Sequence, residues 1–277
     1  MDLTYFENLW QSQQESSLDK EAYWDGRADF FNSRMHTEER RQRQEQLLAR
    51  LLRQGILQPG HSVLDIGCGA GPHALAFART AAQVVGTDIS ARALSFAADN
   101  ARAAGLTNLS FVKADWEQLV LAEQQWDNRF DLVFAAMCPG INSRAALEKM
   151  MQASRSYCLI SLFASREDGL RGRLAAHCGL LPGKEPRHAG SAVYCIFNLL
   201  WLLGHYPEIR LEEVCWQHEF SLAEAIRHYG AMLTVPGSLS EVQQAKLEQY
   251  LEQEAQGGKI NETVKARIAW IGWQVTK

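Results

Sequence analysis

The most informative segment of this 277-residue chain is VLDIGCGAG, residues 63–71. It opens with an apolar run and contains three glycines, Gly67, Gly69 and Gly71, just before a proline. Pro72 suits the first position of a helix, because its missing N–H would be unpaired there anyway. The segment therefore predicts a strand, a glycine-rich turn and a helix whose N-terminus can approach a ligand closely.

From this segment onward, short apolar runs alternate with helical patterns. Parallel strands need crossover connections, which are usually helices, so the alternation predicts a doubly wound α/β fold with a mostly parallel, seven-stranded sheet. The predicted strands are residues 62–66, 83–88, 109–113, 130–136, 157–163, 213–220 and 266–275.

Composition limits the classes of function. The formal net charge is −4, which argues against a dedicated nucleic-acid binder with a basic face. The first ten residues, MDLTYFENLW, do not resemble a signal peptide, and no apolar run reaches the roughly 18 residues of a membrane span. Six widely spaced cysteines without a CxxC pair are typical of reduced thiols. We therefore expect a cytoplasmic protein that contacts neither nucleic acid nor membrane.

An acidic residue, Asp88, ends the second predicted strand and is followed by Ile89. A carboxylate at this position can accept hydrogen bonds from ribose hydroxyls, so a nicotinamide-binding Rossmann unit is one interpretation. That fingerprint requires GxGxxG, and Pro72 occupies its third glycine position. Asp65 is also badly placed for a pyrophosphate and better suited to a positively charged amino group. Both residues disfavour the nicotinamide interpretation.

Taken together, residues 63–71 and the acidic residues after the strands resemble the class I S-adenosylmethionine-dependent methyltransferases, in particular small-molecule, type 11-like members. The resemblance implies a Rossmann-like methyltransferase fold, S-adenosylmethionine as cofactor and S-adenosylhomocysteine as product. Asp115 would meet the adenine amino group, with a helix cap as the alternative, and Trp116 would pack on the adenine ring, with a core position as the alternative. The other cofactor-binding residues that the resemblance implies in the core are Asp65, Gly67, Cys68, Gly69, Gly71, Asp88 and Ile89.

The N-terminal segment YWDGRA, residues 23–28, is similar to a segment that many small-molecule members fold over the cofactor. Trp24 and Arg27 would then close the site, with Arg27 near the cofactor carboxylate. An ordinary amphipathic helix is the alternative. A second helix is predicted over residues 36–55, and its arginines alternate with glutamates, which is typical of a solvated helix face.

The acceptor site is predicted from two segments. Residues 130–137 resemble the family's fourth strand, whose end faces the reacting methyl group, so Met137 and Cys138 are expected to bind the acceptor. The sequence CPGI that begins at Cys138 differs from the Asn/Asp-Pro-Pro-aromatic motif of many amine-methylating members, which argues against nucleic-acid base methylation. An apolar run at 192–203 predicts a buried or lid helix. Its aromatic residues would form a pocket for a small, partly hydrophobic acceptor: Tyr194, Phe197 and Trp201.

The expected organisation is one compact domain made of four parts. Residues 1–55 form an N-terminal helical cap, 56–163 the cofactor-binding core, 164–210 an inserted lid and 211–277 the rest of the sheet. His205 is the candidate general base. No metal site is expected, because the histidines and cysteines lack ligand spacing. A non-catalytic S-adenosylmethionine-binding sensor or scaffold is the alternative function, and an exposed apolar lid would permit a homodimer.

Overall fold

The computed structural model describes residues 1–11, 19–35, 37–180, 189–233 and 239–275. His36, the first residue of the helix predicted over 36–55, lies outside these ranges. Within the described residues, four helices precede the first strand of the sheet. They are α1 (Leu3–Gln11), α2 (Lys20–Asp25), α3 (Ala28–Ser33) and α4 (Glu38–Arg53).

The centre of the described structure is a seven-stranded sheet in the order β3-β2-β1-β4-β5-β7-β6. The first five strands in this order, β3, β2, β1, β4 and β5, are parallel to one another. The strand β7 is antiparallel to both β5 and β6. The predicted mostly parallel α/β fold is therefore confirmed. The strands are β1 (Ser62–Ile66), β2 (Gln83–Asp88), β3 (Leu109–Lys113), β4 (Phe130–Ala136), β5 (Ser154–Asp168), β6 (Glu208–Ser221) and β7 (Lys259–Gln274).

Helices cover both faces of the parallel strands, which is why these strands are nearly uniformly apolar. On one face, Leu51 of α4 and Phe77 of α5 pack with Val63 and Leu132. On the other face, α1, α8 and α10 pack against alternate residues of the same strands. The helices between strands are α5 (Pro72–Ala78), α6 (Ala91–Ala103), α7 (Leu121–Gln124), α8 (Arg144–Ala153), α9 (Gly169–His177), α10 (Ala189–Leu202), α11 (Leu222–Leu233) and α12 (Glu241–Glu254).

The last three strands are longer than the sequence predicts. β5 continues to Asp168 and β6 begins at Glu208, so the sheet extends into the stretch expected to be an inserted lid. The first half of β7 alternates exposed and buried residues, as expected for a strand with one solvated face. Its buried side chains, such as Ile260, pack with α9, α11 and α12 in a separate cluster.

The helix α10 is a buried helix rather than a lid, which is one of the two alternatives predicted for residues 192–203. It packs against β5 and α1, with Ile196 and Leu199 buried in the core and Tyr194 5.5 Å from Phe6, ring centre to ring centre. An apolar run identifies a buried helix but not the surface that buries it. Within the described ranges, no helix has both the length and the apolar character needed to cross a bilayer.

Two short N-terminal helices, α2 and α3, are anchored on α6. Asp25 accepts hydrogen bonds from the Ser90 hydroxyl and from the backbone N–H of Arg92. Asp29 forms an ion pair with the Arg92 side chain at 2.7 Å. These contacts hold α2 and α3 beside the carboxyl ends of the parallel strands.

Candidate cofactor and acceptor cleft

A cavity of about 1280 Å³ lies at the carboxyl ends of β1, β2 and β4. In α/β sheets of this kind, ligands bind at this edge. Small-molecule sites usually measure about 300–1,000 Å³, so the cavity has room for more than one small molecule. Its walls come from the loop after β1, the ends of β2 to β5, the helices α2 to α4, and parts of β6, α11 and β7.

The three glycines of the loop after β1 have different roles, although all have a positive φ (67°, 56° and 87°). A Cβ on Gly67 would lie 2.6 Å from the Cys138 sulfur, and one on Gly71 would lie 2.7 Å from a Leu75 methyl. A Cβ on Gly69 would meet no atom within 4 Å. Gly67 and Gly71 are therefore required by packing, whereas Gly69 leaves space where a ligand can approach the backbone.

Cys68, between the first two glycines, is a buried packing residue. Its sulfur would lie 2.9 Å from a Cβ at Gly86, so it fills the space beside β2. Burial, and then the charges of Asp65 and Asp88, raise the pKa of the Cys68 thiol well above its ordinary value. The side chain is therefore protonated and not suited to act as a nucleophile.

Asp88 connects the glycine loop to the end of β2. Its two carboxylate oxygens accept hydrogen bonds from the backbone N–H groups of Gly69 at 2.8 Å and Ser90 at 2.9 Å. Burial raises the pKa of Asp88, and these backbone hydrogen bonds oppose that effect. Each oxygen keeps a second lone pair, so Asp88 can also accept from ribose hydroxyls. Ile89 lines the cleft next to it.

Asp65 is the most unusual polar group in the cleft. It is only 2% exposed, and one carboxylate oxygen has no hydrogen-bond partner in the part of the chain that the structure describes. Burial, together with the negative charge of Asp88, raises the pKa of Asp65 well above its ordinary value. An unpaired buried acceptor is uncommon in native proteins. A cationic amino group would complete its hydrogen bonding, so Asp65 fits the amino group of S-adenosylmethionine.

Asp115 and Trp116 also line the cleft, after β3. Trp116 is only 3% exposed, and its indole N–H donates to the Ala146 carbonyl at 3.3 Å, so most of the ring belongs to the core. The Lys149 ammonium donates to the backbone carbonyls of Trp116 and Leu119, both at 2.8 Å. This lysine holds the segment that carries Asp115 in place.

Trp24 and Arg27 line the cleft as well. The Arg27 guanidinium lies 5.0 Å from the centre of the Tyr23 ring and 6.0 Å from that of Trp24, and it donates a hydrogen bond to the Tyr23 hydroxyl. Among the described residues, no carboxylate forms an ion pair with it. Arg27 is therefore available to a ligand carboxylate.

Of the predicted acceptor-binding residues, only Met137 and Cys138 line the cleft. Met137 has a φ of 51°, a backbone conformation that non-glycine residues rarely adopt. Its N–H donates to the Ser161 carbonyl at 2.8 Å. The remaining residues predicted for catalysis or acceptor binding lie on or just after α10 and do not line the cleft, because α10 packs elsewhere. They are Tyr194, Phe197, Trp201 and His205.

Sequence reasoning missed the basic and aromatic side of the cleft. Arg40, Arg43 and Arg50 were expected on a solvated face of α4, but they line the cavity, whereas Arg41 does not. Their spacing of three and seven residues, with Leu47 between, places them on one helix face and could have revealed this. The other missed lining residues include Phe30, Arg34, His73, Phe163, Arg166, Trp216, His218, His228 and Trp270.

Comparisons with known proteins agree with this geometry. Residues 57–178 match a family model described as a methyltransferase domain. Over 73 residues the chain is 48% identical to a release factor glutamine methyltransferase of Xylella fastidiosa (strain 9a5c), covering 26% of this chain and 25% of that protein. Over 95 residues it is 35% identical to the 23S rRNA (uracil(1939)-C(5))-methyltransferase RlmD of Shewanella sp. (strain ANA-3), covering 34% and 21%. The chain thus spans about a quarter of the length of these relatives.

Solved structures show the same fold at low sequence identity. The YcgJ protein of Bacillus subtilis superposes with a TM-score of 0.51 at 18% identity, covering 83% of this chain and 98% of that one. A putative methyltransferase of Bacillus halodurans C-125 gives a TM-score of 0.51 at 15% identity, covering 83% and 99%.

The sheet order and the glycine loop with its acidic residues define the Rossmann-like fold of the class I methyltransferases. Residues 57–178, which match the methyltransferase-domain model, contain the glycine loop together with Asp65, Asp88 and Asp115. The residues around the glycine loop, above all the unpaired carboxylate oxygen of Asp65, fit S-adenosylmethionine.

Proposed function

We propose that this chain transfers the methyl group of S-adenosylmethionine to a small, partly apolar acceptor. The observation that carries the proposal is one continuous cavity that joins the glycine loop to an aromatic wall formed by Phe163, Trp216 and Trp270. A cofactor at the loop and an acceptor at the wall would share this cavity, as group transfer between them requires.

Five residues are assigned to the cofactor. Asp88 accepts the ribose hydroxyls, Asp65 faces the amino group, and Arg27 pairs with the carboxylate. Asp115 accepts a hydrogen bond from the adenine amino group, beside the part of Trp116 that lines the cleft. When bound, the cofactor supplies a methyl group activated by a positively charged sulfur.

The chain itself mainly has to orient the acceptor and exclude water. Met137 and Cys138, at the end of β4, line the cavity between the glycine loop and the aromatic wall. Trp24 and Phe31 of α2 and α3 line it from the N-terminal side. These four side chains present mainly apolar surface, so they orient an acceptor by shape rather than by proton transfer.

A small acceptor is favoured over protein or RNA by the end of β4. Some relatives carry names that specify a release factor or 23S rRNA as substrate. In this chain Cys138 stands where an amide or carboxylate would hold a planar amine, and desolvation raises the pKa of its half-buried thiol to about 12. All six cysteines are free thiols, which supports a location in the reducing cytoplasm.

The test is calorimetric titration with S-adenosylmethionine, S-adenosylhomocysteine and NAD. We expect the first two to bind and NAD not to bind. Asp88→Ala should weaken S-adenosylhomocysteine by about tenfold or more, because a ribose contact of about 1.5–3 kcal/mol is lost. Asp99→Ala is the matched control, since Asp99 lies on the nearby α6 and pairs, among the described residues, only with Arg102 at 2.7 Å.

Three results would contradict the proposal. Binding of NAD alone would identify a nicotinamide protein, and binding of no nucleotide would remove the cofactor assignment. Binding of S-adenosylmethionine without methyl transfer to any small acceptor tested would favour the non-catalytic sensor or scaffold.

A further inference from the structure

The charges in the cleft are distributed unevenly. The cofactor end holds the carboxylates of Asp65, Asp88 and Asp115, whereas another part of the lining holds four arginines. We call these four the arginine wall. They come from the C-terminal end of α3, from α4 and from β5, and they are Arg34, Arg40, Arg43 and Arg166.

The members of the arginine wall lie close enough to repel one another. Burial, followed by the positive charges of Arg43 and Arg34, lowers the pKa of Arg40. Burial, followed by Arg34 and Arg166, lowers the pKa of His218 to about 4. The four guanidinium groups thus act on shared neighbours, which places them around one region of the cavity.

Protein carboxylates only partly neutralise this wall. Arg43 pairs with Glu39 at 3.5 Å and Arg166 with Asp168 at 3.2 Å, but the Nε of Arg166 is buried without a hydrogen-bond partner among the described residues. Among the described residues, the side chain of Arg40, which is half-buried, has neither an ion pair nor a hydrogen bond. The buried Nε of Arg166 needs an acceptor oxygen, and the Arg40 guanidinium is free to donate to one.

The other cleft carboxylates near the wall are already engaged. Glu212 accepts from the Trp270 indole at 2.9 Å, and Glu219 pairs with Lys259 at 2.6 Å. Burial, and then Asp168, raise the pKa of Glu262. A positive surplus therefore remains for a ligand.

Aromatic rings support the same guanidinium groups. The Arg34 guanidinium lies 4.2 Å from the centre of the Phe30 ring, and that of Arg166 lies 5.4 Å from Phe163. A guanidinium over a ring can still donate from its edge, and this planar fork matches carboxylate and phosphate oxygens. Arg34 also donates to Nδ1 of His218 at 3.0 Å, which leaves the other ring nitrogen of that neutral histidine as an N–H donor.

We propose that the acceptor is an anionic molecule, with a carboxylate or phosphate held by Arg34, Arg40 and Arg166 and an apolar or aromatic body against Phe163 and Trp216. This inference rests on the proposed function, since it names the class of acceptor for the same cleft. The carboxylates at the cofactor end would repel the anionic group. They would therefore orient the opposite end of the acceptor toward the transferred methyl group.

The test uses three probes of one shape, added to protein saturated with S-adenosylhomocysteine: 2-naphthoate, 2-naphthyl phosphate and the neutral 2-naphthamide. Calorimetry measures each affinity in wild type, Arg40→Gln and Arg41→Gln. Arg41 is a matched control because it is the next residue on α4, lies outside the cleft and pairs with Glu38 and Glu45, both at 2.6 Å.

We expect an anionic probe to bind about tenfold or more tightly than the amide, as a charge-assisted hydrogen bond predicts. Arg40→Gln should remove that preference and Arg41→Gln should keep it, with S-adenosylhomocysteine affinity unchanged in both variants. The preferred anion distinguishes a carboxylate from a phosphate acceptor. Arg166→Gln repeats the test on β5, and thermal unfolding confirms that each variant is folded.

Equal affinity for the amide and the anions, no binding of either anion, or an unchanged preference in both Arg40→Gln and Arg166→Gln would overturn the inference. The proposed function is tested separately, because it depends on S-adenosylhomocysteine binding. A protein that binds that nucleotide but not the anions keeps the function and loses the anionic acceptor. A protein that binds the anions but not the nucleotide keeps the anion site and loses the proposed function.

Discussion

Replacing Gly67 by alanine should destabilise the protein much more than the same change at Gly69. Both glycines have a left-handed φ, 67° and 56°, which costs a residue with a Cβ about 1–2 kcal/mol. Only at Gly67 would the new Cβ meet another atom, the Cys138 sulfur at 2.6 Å. Overpacking of this kind adds about 1–3 kcal/mol. We therefore expect losses of about 2–5 kcal/mol for Gly67→Ala and about 1–2 kcal/mol for Gly69→Ala.

A double-mutant cycle with Cys138→Gly isolates the steric part of this loss. The substitution removes the sulfur and the Cys138 Cβ, which lies 3.0 Å from the new atom, and leaves the Cα at an ordinary 3.7 Å. The double variant should therefore recover about 1–3 kcal/mol relative to the sum of the single variants. Urea unfolding followed by circular dichroism measures each free energy without ligand.

One outcome would contradict the packing role assigned to Gly67. Both alanines restrict the unfolded chain to the same degree, so the difference between them reports only the folded state. Equal losses for Gly67→Ala and Gly69→Ala, with additivity to Cys138→Gly within about 0.5 kcal/mol, would show that the Cys138 side chain moves away freely. The packing role assigned to Gly67 would then be wrong.

Three further predictions concern the strand ends and the walls of the cleft. Burial alone would raise the pKa of Asp131, but hydrogen bonds from the Arg155 guanidinium and from the backbone N–H and hydroxyl of Ser62 lower it to about 2. Asp131→Asn should therefore lose about 1–2 kcal/mol at pH 7, and this difference, measured by urea unfolding, should shrink as the pH falls from about 4 to 2. Lys149→Met should lose about 1–3 kcal/mol in the same assay and weaken S-adenosylhomocysteine in calorimetry, because carbonyls around Trp116 lose their donor. Trp216→Ala should weaken 2-naphthoate binding, whereas Trp201→Ala, outside the cleft, should leave that binding unchanged. Equal losses of affinity would show that α10 contributes to acceptor binding.

The bounds of β1 to β4 could be predicted to the residue, whereas those of β5, β6 and β7 could not. The bounds of β1 to β4 in the structure equal those expected, because buried parallel strands are short apolar runs ended by glycine or polar residues. β7 begins at Lys259 rather than at the expected residue 266, because its first half alternates polar and apolar residues. The alternation is a weak signal here because Glu262 occupies one of the buried positions, where an apolar residue is expected.

The cofactor end of the cleft followed from local sequence, but the acceptor end did not. The glycine loop, Asp65 and Asp88 lie within 26 residues of one another at adjacent strand ends, so their meeting requires only the sheet order. Arg34, Arg166 and His218 come from distant parts of the chain and meet only through tertiary packing. Similarly, the apolar pattern of α10 specified a buried helix without specifying that α1 would cover it.

The most direct test of the central claim is a crystal structure of the protein with S-adenosylhomocysteine. We expect the ribose hydroxyls to donate hydrogen bonds to the Asp88 carboxylate and the amino group to lie within hydrogen-bond distance of Asp65. The sulfur should face the space between Met137 and the aromatic wall. Nucleotide bound elsewhere, or with its amino group away from Asp65 and its sulfur away from the wall, would contradict the assignment of this cleft to methyl transfer.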